Sequence, residues 1–129
     1  EYDYQACTEL RIFCKVNNVT IWLNTHANTE ATRKLHRNGE YEGHPQPPWA
    51  ADAEGGSKYV NRSDSFLVCH RYTQHRSQFM YTHLHVRKVK EIETGGRPTP
   101  IDEPILIRSI VNNVGFSVND KNIIPTLLG

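Results

Sequence analysis

Three histidines, His70 and the pair His83-x-His85, are the residues of this chain whose type and spacing most suggest chemistry. Three converging imidazoles can bind Zn²⁺ tetrahedrally and leave a fourth position open for a water, the arrangement of a catalytic zinc site. Imidazoles are also proton donors and acceptors near neutral pH. With Arg87 to hold a phosphate and Glu91 as a carboxylate, they offer the residue types of a metal-dependent or nuclease-like hydrolase. A straight strand rising roughly 3.3 Å per residue nevertheless puts Glu91 about 20 Å from His85, too far for the two to act together. His83-x-His85 also departs from the cupin metal motif, since Glu91 comes one residue too late and the upstream Gly is absent. There is no Gly-x-Ser-x-Gly elbow and no phosphate-binding glycine loop. Apart from zinc at His70, His83 and His85, no cofactor is expected, and an enzyme is not the leading expectation.

The element that must position these histidines is a β-hairpin over Phe66 to Val86. A four-residue turn at Gln74 to Ser77 would set Tyr72 opposite Phe79, His70 opposite Tyr81, Val68 opposite His83 and Phe66 opposite His85. One face would then carry His and Tyr. The other, with Leu67, Cys69, Met80, Leu84 and Val86, reads as the face turned to the core.

A second hairpin is predicted over Glu9 to Asn24, where Leu10, Ile12, Cys14 and Val16 alternate in phase with Val19, Ile21 and Leu23 across Asn17-Asn18. Asn tolerates the positive φ that such a turn demands. Its reverse face would present Phe13 and Trp22 beside Arg11 and Lys15, either lying beneath the loop from Thr25 to Ser65 as aromatic core, the more expected case, or left as a platform for a partner, for a sugar ring or, in a third reading, for a single-stranded nucleic acid. Trp49 in a Pro-rich loop and Tyr72 and Tyr81 on the His-bearing face extend this candidate binding surface.

From Thr25 to Ser65 turn residues break every run, although Asn28 to Arg37 could be a short helix or half of a hairpin setting His36 against Tyr41 across Asn38-Gly39. A loop region this long is commonly functional. Ile105–Val111, Val114–Val118 and Ile123–Leu128 are further β-rich segments. About seven short strands predict an all-β fold, an antiparallel β-sandwich or small barrel, as a single β-rich domain over 1–129. An immunoglobulin-like sandwich fits poorly, because Trp22 comes early and Leu67 stands where a tyrosine would be expected.

The 129 residues carry 15 Lys plus Arg against 14 Asp plus Glu. A net charge of +1 gives no global field for a polyanion, so any basic site must be local and nucleic acid is a less expected partner than protein or glycan. No apolar run is long enough to span a bilayer. The chain starts at Glu1 without Met or an apolar leader, as a processed or trimmed chain would. Sequons at Asn18 and Asn61, both expected in turns or loops, and three cysteines favour an extracellular setting. Cys14 could pair with Cys69 across two packed sheets, or Cys7 with Cys69. The expected function is therefore a secreted recognition module, effector-, receptor- or lectin-like, binding a protein or glycan through loops and an aromatic, His-rich sheet face.

Overall fold

The computed structural model describes residues 2–56, 58–110 and 115–122. Its centre is one open antiparallel sheet in simple sequential order, β1 (Ser65–His70), β2 (Tyr81–Val89), β3 (Ile105–Ser109), β4 (Phe116–Val118) and β5 (Lys121–Asn122). The expected seven-stranded sandwich or barrel is therefore corrected to a five-stranded open sheet. The segments meant to supply a second layer do something else: Glu9–Asn24 contributes no strand, and the C-terminal strands join the same sheet as β1 and β2.

The N-terminal region forms a helix, α1 (Tyr2–Asn17), whose half-buried stripe is Cys7, Arg11 and Cys14 at i, i+4 and i+7. The expected hairpin turn at Asn17-Asn18 is the end of this helix. Asn18 takes φ 52° and the Val19 amide donates back to the Cys14 carbonyl at 3.1 Å, a Schellman cap. Asn was read correctly as a residue for positive φ, but the period-2 alternation around it was an accident of a helix whose Ile12, Phe13 and Val16 are exposed. Lys15 in the last turn suits the negative end of the helix dipole.

Between α1 and the sheet, α2 (Thr29–Thr32) is capped by Asn28, whose side chain accepts from the Ala31 amide at 2.9 Å. The chain then doubles back, Leu35 bridging Pro45 and the His36 amide donating to the His44 carbonyl. Both expectations for this stretch are thus partly met, with the reversal closing three residues later than Asn38-Gly39 alone would allow. A 3-10 turn (Ala50–Asp52) and α3 (Lys58–Arg62) lead into β1. A short α4 (Ile92–Gly95) follows β2. Asn119 and Asp120, at φ 50° and 63°, close β4 onto β5 as a two-residue turn. The predicted strand Ile123–Leu128 lies outside the described residues, as do Val111 and Val114.

β1 pairs with β2 two residues out from the expected register: His70 faces His83, Val68 faces His85 and Cys69 faces Leu84. The connection is the ten residues 71–80 rather than a tight turn, so Tyr72 lies in it and not opposite Phe79. A shift of two keeps every side chain on its own face. The faces are nonetheless used the other way round from expectation. The His face is the core: Val68, Tyr72, His83 and His85 are buried, together with Ser117 of β4. On the reverse face Leu67 and Cys69 are exposed, Leu84, Val86, Ile105 and Ile107 are half-buried, and Met80 just before β2 is exposed. The covering layer is the polar segment 26–53, which brings peptide groups and rings to the sheet, and buried imidazoles need such partners where aliphatics do not.

The inversion is testable by paired truncations of neighbours on β1. Val68→Ala, at a site 7% exposed, is expected to cost roughly 2 kcal/mol in urea unfolding, and Leu67→Ala, at 37% exposure, well under 1 kcal/mol. Equal losses would put the core on both faces.

Candidate functional site

The His-bearing face meets its cover in a cluster of aromatic rings. Tyr41 stacks on Tyr72 with centroids 4.2 Å apart and planes 13° from parallel. Around that pair lie His36, 5.8 Å from Tyr72, His70 at 4.7 Å, and His83 at 5.2 Å, the last two edge-on. His75 and His44 approach each other at 5.1 Å on the same assembly. Edge contacts place ring hydrogens over π faces, the favourable quadrupole arrangement.

Hydrogen bonds fix these rings. His70 Nε2 donates to the Pro45 carbonyl at 3.0 Å, and His83 Nε2 donates to Gln78 Oε1 at 3.0 Å. His75 Nδ1 accepts from the Ser77 and Gln78 amides at 3.1 Å each, so its proton sits on Nε2, which faces the Glu40 carbonyl at 3.3 Å. His36 Nε2 and the Tyr72 hydroxyl are bonded at 2.9 Å. The exception is His85: it is 2% exposed, and neither ring nitrogen meets a hydrogen-bond partner among the described residues.

Burial sets the protonation of the cluster. It holds His36, His70 and His83 below the ordinary imidazole value, against the opposing pull of the Pro45 carbonyl on His70 and of Glu40 on His83, while neighbouring imidazoles add to the lowering. His85 is lowered to about 4, by burial first and then by Arg87, His83 and His70. Tyr72 is raised to about 12 by burial and by Tyr41. At neutral pH His36, His70, His83 and His85 are therefore held in the uncharged form.

The structure does bring the expected set His70, His83 and His85 onto one face, yet His70 and His83 spend their Nε2 atoms on Pro45 and Gln78. Among the described residues no group of three His, Cys, Asp or Glu side chains is arranged to hold a metal ion. Cys14 and Cys69 are not a disulfide pair. Cys7, Cys14 and Cys69 are all free, Cys14 sitting on α1 and Cys69 on the exposed face of β1.

The expected aromatic platform is dispersed. Phe13 and Lys15 are exposed on α1, Trp22 is 76% exposed on the extended chain after it, and Arg11 turns to Asp64 at 3.5 Å. Tyr72 is buried, and Tyr81 donates to Asp120 at 2.7 Å. Of the sequon residues, Asn18 is exposed in the helix cap and Asn61 is exposed within α3, not in the loop expected.

Sequence reasoning missed the neighbourhood of Asp52. This carboxylate accepts from the Trp49 amide at 2.8 Å and from Lys34 Nζ at 3.2 Å, and those bonds hold it below the ordinary carboxylate value, the Trp49 amide foremost. It thereby joins two surfaces. On one side an open cleft of about 620 Å³ is lined by Arg33, Lys34, Leu35, His36, Arg37 and Gln46. On the other, Trp49 is 47% exposed with the Arg87 guanidinium 3.9 Å over its ring, and Arg87 also donates to the Pro48 carbonyl. Arg37 has no hydrogen bond or ion pair with the described residues. The signal was three cations within Arg33–Arg37, in a segment without an aliphatic pattern to place it.

No family model, no curated protein and no solved structure matches this chain. Its site is therefore read from its own geometry.

The orphaned ring gives a sharp contrast. His85→Phe is expected to leave stability at pH 7.5 unchanged or raise it by about 1 kcal/mol, because it removes two unsatisfied buried nitrogens. His83→Phe, which strands Gln78, is expected to lower it by about 1–3 kcal/mol. Thermal unfolding of both variants checks the pair; equal destabilisation would mean that the His85 nitrogens are satisfied.

Proposed function

We propose that this domain is a binding module for an extended polyanion, a single-stranded nucleic acid in the first place. The observation that carries the reading is the Asp52 joint, which sets a cleft of Arg33, Lys34, His36 and Arg37 beside an exposed tryptophan bearing an arginine on its ring. Cations that track phosphates next to aromatic planes that stack on bases are what sequence-tolerant single-strand recognition requires. The charge is local, as a chain of net charge +1 demands.

A second reading keeps the secreted recognition module with a protein or glycan partner. It draws on the exposed run Phe13, Val16, Val19, Ile21, Trp22 and Leu23 along the end of α1 and the chain beyond it, a larger apolar surface than scattered residues make. The exposed Asn18 and Asn61 fit it as well. A hydrolase built on His70, His83 and His85 has less support, because His83 and His85 are buried and His70 and His83 are bonded within the protein.

Fluorescence anisotropy with a labelled oligothymidylate of 15 nucleotides tests the first reading. Arg37, with Arg33 and Lys34 turned from Glu30 and Asp52 to phosphate, makes at most three phosphate contacts and predicts a slope of log affinity against log salt no steeper than about −2. Trp49→Ala is expected to weaken binding by about 1–3 kcal/mol, the worth of a stacked base. Arg37→Ala should lower affinity and salt slope with no change in thermal stability. Binding that ignores salt and both substitutions would sink the reading.

A further inference from the structure

Of seven histidines, five place their rings around the Tyr41–Tyr72 stack, and a sixth, His85, lies on the same face of β2 as His83. They come from three stretches: His36 and His44 from the cover, His70 and His75 from the end of β1 and the loop after it, His83 and His85 from β2. The packing works for uncharged rings. His44 and His75 lie 5.1 Å apart between ring centroids, and each added proton places a cation among rings packed on the same tyrosine pair, in surroundings that screen poorly. The charged groups facing the cluster give little relief. Arg87 on β2 is already a cation, Glu40 on the cover is the carboxylate near it, 3.9 Å from His75 Nε2, and Tyr41 and Tyr72 stay protonated throughout the acid range.

We propose that the imidazole–phenol cluster is an acid-released latch: it holds the cover, residues 36–46, on the sheet at neutral pH and lets it go when the imidazoles are protonated. The cover meets the sheet side at His70 on the Pro45 carbonyl, His36 on Tyr72 and His75 on the Glu40 carbonyl. A proton added to His70 leaves its donated bond in place, so release comes from the cost of burying charge among the packed rings. The pairing of residues 34–36 with 44–46 within the cover is made by backbone groups and has no dependence on imidazole charge.

The direction follows from proton linkage. Buried His36, His70, His83 and His85 bind protons less readily than the same residues in the released chain. The latch is therefore at full strength above about pH 6.5 and weakens as pH falls from 6.5 towards 4. His85 is held at about 4; full hydration of that ring on release would by itself raise the opening constant roughly 70-fold between pH 7.5 and 4.5. Asp52 is held below the ordinary carboxylate value and keeps its charge through this window.

The test follows near-ultraviolet circular dichroism of the stacked tyrosines from pH 7.5 to 4 on the whole chain, with amide spectra by NMR to locate the change. The expected result is loss of the tyrosine signal inside that window, an uptake of more than two protons, and amide shifts confined first to residues 36–46 and 71–78. His85→Phe should remove about one proton from the transition and move its midpoint to lower pH. His70→Gln keeps a donor for the Pro45 carbonyl and should do the same if the first variant does not fold. An unchanged tyrosine signal down to pH 4, or a transition indifferent to both substitutions, would overturn the latch.

Discussion

Everything in this domain turns on the need of buried imidazoles for hydrogen-bond partners. A sheet face made of Val, Leu and Ile can be covered by any apolar surface, but His70 and His83 call for chain that brings carbonyls and amides to fixed places, while His85 is packed without a partner among the described residues. The segment 26–53 does this with the Pro45 carbonyl, and the loop after β1 does it with Gln78, Tyr72 and two amides on His75. Irregular backbone is well suited to the task, because its peptide groups are not already committed to a ladder. The long loop region is thus the second half of the core.

The same requirement accounts for what could be read in the chain beforehand. The hairpin of β1 and β2 was legible, because alternation over Phe66 to Val86 is long and its two faces differ in chemistry. Its register was not, since it depends on the ten residues 71–80, whose path is organised by His75 accepting from its own neighbours. Assigning apolar Leu67 and Cys69 to the core failed for a plain reason: burial here is decided by which face can be covered with satisfied polar groups, and hydrophobicity says nothing about that. The β-rich segments near 105 and 116 were visible from composition alone. The N-terminal helix was not, since its buried stripe of Cys7, Arg11 and Cys14 is too polar to announce a helical period.

Site residues divide along the same line. Types were evident for His70, His83, His85 and Trp49; the ring contact of His36 with Tyr41, 5.7 Å between centroids, arises from a different reversal than the Asn38-Gly39 hairpin expected, since His36 pairs with His44. Asp52 was invisible. A lone carboxylate in an Ala-rich stretch gains meaning only when folding places an amide and an ammonium group on it, and that is a non-local event.

The strand order has a kinetic consequence. Each strand pairs with the next in sequence, so the sheet can be built by successive local closures, which cost little chain entropy and are fast. Docking of residues 36–46 onto His70, Tyr72 and His83 spans about 25 to 45 positions and can reward the chain only after β1 and β2 have met. The sheet therefore forms first and presents a polar, water-compatible face until the cover arrives, a sequence of events in which the side awaiting burial is the one least prone to stick to other chains.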